Sequence, residues 1–84
     1  MTTQQLGNIL RSMYNLENAN KKTMILLFGV KYASEIREAA STSSISSVVN
    51  EIVTYAGVPS SYATEIKAAV DLSKYVEVKS TTSI

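Results

Sequence analysis

Apolar residues return at three- and four-residue intervals along most of the chain, and this spacing constrains the fold more than any other feature. Leu6, Ile9, Leu10, Met13 and Leu16 form the first series, with Arg11, Ser12, Asn15 and Glu17 on the other face, as in a helix lying on a core. Thr2, Thr3, Gln4 and Gln5 precede it as a capping box, in which Thr2 accepts from the third helical amide and Gln5 reaches back. Asn18, Ala19 and Asn20 mark the expected stop. Over residues 22–40, Met24, Ile25, Phe28, Tyr32, Ile36, Ala39 and Ala40 keep helical spacing on both sides of Gly29. One long helix that tolerates the glycine, at roughly 1 kcal/mol relative to alanine, and a turn at that point both satisfy the pattern.

Residues 41–47 hold six serines or threonines around Ile45 and read as a loop that supplies N-caps. Val48, Val49, Ile52, Val53 and Ala56 then predict a short helix ending at Gly57, Val58 and Pro59. A further helix, capped by Ser60 or Ser61, carries Tyr62, Ala63, Ile66, Ala69 and Val70 inward until about Leu72 or Ser73. Tyr75, Val76, Glu77, Val78 and Lys79 suit a short strand or an extended arm. The expected organisation is one domain over residues 1–79 and a frayed tail over 80–84.

Composition narrows the chemistry. The 84 residues include no cysteine and no histidine, which excludes a disulfide framework, a zinc finger, and thiol or imidazole catalysis. A domain of this size buries only about 60% of its unfolded surface, so an elaborate active-site cavity is not expected. With 45% apolar and 18% charged residues, the chain carries enough hydrophobic material for a folded core. The longest strongly apolar run, residues 24–30, is far below the roughly 20 residues that span a bilayer. No basic-then-apolar signal opens the chain, and the expectation is a soluble cytoplasmic protein with no membrane partner. The net charge of +1 comes from scattered residues, and only Lys21 and Lys22 are adjacent lysines. A nonspecific grip on nucleic acid is therefore weak, and any such function must rest on local geometry.

Residues 32–40 read YASEIREAA and residues 62–70 read YATEIKAAV, with five of nine positions identical. Glycine-valine precedes each copy, at Gly29-Val30 and Gly57-Val58, and the second copy inserts two residues before its tyrosine. Two alanine-rich helices can resemble each other through composition alone. The alternative is two helix-turn-helix-like halves about a common core, too few for a solenoid.

Residues 49–68 supply, in order, the parts of a helix-turn-helix. Ile52 and Ala56 face inward from a supporting helix, Gly57 permits the turn, Val58 plugs the angle, and Ala63 and Ile66 pack the second helix back. Over these twenty or so residues the chain resembles the helix-turn-helix superfamily of DNA-binding domains. It departs from that pattern at Val53, where a small residue is usual, and at Ala63, where a branched apolar residue is commoner. The wider pattern of LRSMY, LFGVKYASEI, AGVPSSYATEI and LSKYVEVK is similar to small helical modules of bacterial restriction and phage-related proteins. Both resemblances imply double-stranded DNA as partner and no cofactor.

If the motif docks as its superfamily does, Ser60, Ser61, Thr64, Lys67 and Ala68 face the groove or its phosphates. Hydroxyls can bond phosphate or base edges, an alanine methyl can touch thymine, and Lys67 can meet a phosphate. Each residue also has a plainer explanation. Ser60 or Ser61 can cap the helix, Lys67 can pair with Asp71 four residues on, and Glu65 can be a solvated carboxylate favoured by the helix dipole. Lys21, Lys22, Lys31, Arg37, Lys74 and Lys79 clamp a DNA backbone only if folding gathers them on one side. The tyrosines suit helix edges, with core packing as the simpler role.

Catalysis has little support. No histidine is present to activate a hydroxyl, Glu35 and Glu38 read as a solvent-facing pair, and Gly7, Gly29 and Gly57 are isolated rather than a phosphate loop. The sequence predicts an all-α bundle of four or five short helices containing a helix-turn-helix, acting as a homodimer or larger assembly because one weakly charged module binds poorly alone. The competing expectation is a protein-protein interaction module that uses the alanine-rich helices and the KYVEVK segment.

Overall fold

The computed structural model describes residues 1–75; the arm expected over 76–79 and the tail over 80–84 lie outside them. Five helices follow in order: α1 (Thr3–Tyr14), α2 (Lys21–Lys31), α3 (Ala33–Ala39), α4 (Ile45–Ala56) and α5 (Tyr62–Leu72). No strand occurs among the described residues, and none of their helices is long and apolar enough to cross a membrane.

Local polar chemistry starts three of the helices. Thr2 Oγ1 accepts from the Gln5 amide at 3.1 Å while the Thr2 amide donates to Gln5 Oε1 at 2.9 Å, completing the capping box. Asn20 Oδ1 accepts from the Thr23 amide at 2.9 Å and opens α2. Ser44 Oγ accepts from the Ser47 amide at 3.1 Å and opens α4, so Ser46 and Ser47 are helical and the predicted loop closes at Ser44.

Two helix ends differ from the sequence reading. α1 stops at Tyr14 rather than near Asn18, and Leu16 is left 48% exposed outside the helix it was expected to extend. Asn18 instead takes a φ of 63° in the connecting loop, a left-handed conformation that asparagine tolerates. The stretch over 22–40 is two helices, yet the break falls at Tyr32 and not at Gly29.

Gly29 has a packing role: a Cβ placed on it would lie 2.5 Å from the Ala69 Cβ and 3.0 Å from the Ile66 carbonyl oxygen. Gly7 does the same at the α1–α4 crossing, where a Cβ would lie 2.5 Å from the Tyr55 Cβ. α1 thus lies on α4, α2 lies on α5, and α4 touches α5. Leu6, Leu10, Ile25, Phe28, Ile36, Ile52, Ile66 and Val70 are fully shielded between these pairs.

The two arginines close the ends of neighbouring helices. Arg11 donates to the carbonyls of Tyr55 and Ala56 at the end of α4, and Arg37 Nη2 donates to the Val70 carbonyl at 2.7 Å and Ser73 Oγ at 2.9 Å at the end of α5. Each places a positive charge on carbonyls that lack an intrahelical donor, where the helix dipole favours it. Arg37, considered above as a backbone clamp, is therefore committed to the fold.

The internal echo survives in its helices and not in its turns. Ile36 and Ile66 are equally buried at matching places in α3 and α5. Gly29, however, is a buried helical residue, whereas Gly57 is exposed with φ 71° and ends α4 in the left-handed conformation. A Cβ on Gly57 would meet nothing within 4 Å. Gly57→Ala is accordingly expected to cost only the strained backbone, about 1 kcal/mol, read as a lower denaturation midpoint with an unchanged slope.

Candidate functional site

The bend at Gly57 and the residues after it set the position of α5. The Gly57 amide donates to the Val53 carbonyl at 3.0 Å, and Val58, 8% exposed, packs into the angle as a plug. Two tight turns then lead into α5, with the Tyr62 amide donating to the Pro59 carbonyl at 3.1 Å and the Ala63 amide to the Ser60 carbonyl at 3.0 Å. Ser61 occupies the cap position in a helical conformation with no side-chain capping bond, so the expected hydroxyl cap does not form there.

Ser60, Ser61, Thr64, Lys67 and Ala68 are all exposed. At 3.6 residues per turn, Ser61, Thr64 and Ala68 share the face opposite Ile66, which is buried. Lys67 stands to one side of them. Its ammonium donates to Ser46 Oγ at 2.8 Å across the groove between α4 and α5, rather than pairing with Asp71. Ser46, Asn50, Thr64 and Lys67 line this groove over the side chains of Val49 and Ala63.

Ser46 and Asn50 were not singled out by the sequence. Their signal was present as two polar residues four apart among the inward valines of α4, but reading residues 41–47 as a loop concealed it. The groove offers two hydroxyls, an amide and an ammonium, which can bond phosphate oxygens or base edges.

A second group flanks the other side of the α5 start. Lys22 Nζ lies 3.4 Å from Glu65 Oε1, so Glu65 is a half-buried ion-pair partner rather than a solvated carboxylate. Lys21 donates to the Tyr14 carbonyl at 2.9 Å with its ammonium 4.3 Å from the Tyr14 ring centre. The Tyr14 and Tyr62 rings meet edge to face at 5.9 Å. Tyr14, burial and the Glu65 carboxylate together hold the Tyr62 hydroxyl above its ordinary value of 10.0, against a smaller opposing pull from Lys22. Folding thus brings the one adjacent lysine pair beside the first turn of α5. Lys31, by contrast, lies against Tyr32. Among the described residues, no group of three or more carboxylate, histidine or cysteine side chains is placed to hold a metal ion.

Five short helices, with α4 and α5 set at an angle by a left-handed glycine, define a small all-α helix-turn-helix domain. A family model described as an HTH-like domain matches residues 2–79, and the chain belongs to that family. Neither the curated proteins nor the solved structures contain a match.

Proposed function

We propose that the protein binds double-stranded DNA as a helix-turn-helix module, presenting the start of α5 to the groove. The observation that carries this reading is the exposed face of α5 that bears the Ser61 and Thr64 hydroxyls and the Ala68 methyl, opposite the buried Ile66 and after the bend at Gly57. In this reading Ser60, Ser61, Thr64 and Ala68 meet base edges or phosphate, and Lys67 leaves Ser46 to meet a phosphate. Residues 1–79 act as one binding unit without catalytic chemistry, in the cytoplasm with the DNA. A dimer or larger assembly supplies the contacts that one module lacks. The setting we propose is restriction, phage or transcriptional regulation, on the resemblance of the sequence pattern to modules of that kind.

Family membership supports the class of function, and Lys67 beside the exposed face supports its chemistry. The competing protein-interaction reading draws on the commitment of Arg11 and Arg37 to helix ends, which removes two cations from the pool available to phosphate. A salt series on mixed-sequence duplex DNA separates the two. Binding that weakens with a log-log slope of about −2 to −3 is expected, matching contact with a few phosphates. A flat series, or no binding even at low salt, selects the interaction module.

The same assay tests the site. Thr64→Ala with Lys67→Ala is expected to weaken affinity about tenfold at low salt and make the slope about one unit shallower, while the melting curve stays near that of the parent. Unchanged affinity in a folded double variant would reject this docking face.

A further inference from the structure

We infer that Lys22 is a positioning residue for DNA binding, whose ammonium holds the Glu65 carboxylate back from the exposed face of α5. This role rests on the DNA-binding reading above, which assigns nothing to either residue. Glu65 follows Thr64 and precedes Ala68 by three positions in the first turns of α5. Helical geometry puts it at the edge between the seam with α2 and the face bearing Ser61, Thr64 and Ala68. A carboxylate turned toward that face would stand where phosphate is expected and would repel it.

The restraint comes from α2. Lys22 Nζ sits 3.4 Å from Glu65 Oε1, while Oε2 is buried and has no hydrogen-bond partner among the described residues. An unsatisfied, shielded carboxylate oxygen is poorly placed and would gain by turning out to water. The ammonium therefore opposes an outward rotation that solvation favours. The dipole of α5 favours a carboxylate in this turn whether it points toward the seam or toward solvent, so it does not select between them.

The pair is not a major source of stability. The Lys22 side chain is 66% exposed and that of Glu65 30%, and ion pairs this accessible contribute little to folding. The effect belongs to binding. While paired, the two charges cancel beside the α5 start, leaving Lys67 at the side of the exposed face and Asp71 on that face three residues beyond Ala68. Once Lys22 is neutralised, Glu65 swings outward and adds a negative charge within one screening length of the DNA backbone.

The test uses the full chain in four forms: the parent, Lys22→Gln, Glu65→Gln and the double variant, each measured by anisotropy on mixed-sequence duplex DNA at low salt and by thermal melting. Lys22→Gln is expected to weaken binding about tenfold, as for one added like charge at close range. Glu65→Gln should stay within about twofold of the parent, and the double variant should recover to within about threefold. Lys22→Arg, which keeps the charge, should bind like the parent, and all melting curves should nearly coincide.

A double variant as weak as Lys22→Gln would show that the ammonium itself meets phosphate and would overturn the positioning role. Parental affinity in Lys22→Gln would overturn it as well. Loss of binding in the parent is a distinguishable result: it removes the DNA-binding function, and this role with it.

Discussion

Ile66→Asp is expected to leave the chain unfolded at room temperature, with no cooperative melting transition and with DNA affinity lost together with the fold. Ile66 is fully buried on the inner face of α5, against the α2 crossing at Gly29. Removing its side chain forfeits about 2–5 kcal/mol in transfer and cavity terms. An aspartate there must also be buried ionised without a partner, or be protonated, at several kcal/mol more. No buried polar or charged residue exists among the described residues to receive it. A domain of this length has a total stability of roughly 4–13 kcal/mol, so one substitution consumes most or all of it.

The control lies on the same helix. Thr64→Ala, two residues away on the exposed face, should melt within a few degrees of the parent. Circular dichroism of the two variants decides the matter. A folded Ile66→Asp would mean that α5 is not anchored by this face, and the outward orientation of Thr64 would lose its basis.

The inward face of α5 was legible because hydrophobic burial leaves a periodic trace: Ile66, Ala69 and Val70 are spaced as the core requires. The Thr2 to Gln5 capping box and the stop at Gly57 were legible for a similar reason, since each is set by chemistry within a few residues. The α1 terminus was misread because Leu16 continues the apolar spacing past the point where the chain leaves the helix. Periodicity carries no information about which apolar residue finds a partner.

Long-range pairings left no such trace. Arg11 reaches the end of α4 from 45 residues away, Arg37 reaches the end of α5 from 33, and Lys67 bonds Ser46 across 21. A charged side chain reads the same in sequence whether it is solvated or closes a distant helix. The candidate site divides along the same line: the exposed face of α5 follows from local spacing, whereas Ser46, Asn50 and the Lys22–Glu65 pair are set by how helices cross.

Those crossings lead to the second large effect, at Gly29. An alanine there gains about 1 kcal/mol in helix propensity, which by itself would stabilise α2. Against this, its Cβ would stand 2.5 Å from the Ala69 Cβ and 3.0 Å from the Ile66 carbonyl oxygen. Carbon atoms rest at about 3.5–4.0 Å, and neither obstacle is a flexible side-chain end that can rotate away. The helices must separate, at about 1–3 kcal/mol, so Gly29→Ala is expected to be net destabilising and Gly29→Val to lose about 3 kcal/mol or more. Adding Ala69→Gly to Gly29→Ala removes the nearer obstacle, and the pair should be more stable than the sum of the single changes by about 1–2 kcal/mol in a denaturant cycle. An additive cycle, or a Gly29→Ala variant more stable than the parent, would show that the crossing is looser than its distances indicate. The consequence extends to binding, because α2 supports α5 on the side opposite Thr64 and Ala68. Gly29→Ala moves that support and leaves every exposed residue of α5 unchanged, so DNA affinity lost in the folded variant and regained with Ala69→Gly would tie recognition to the setting of the helix itself.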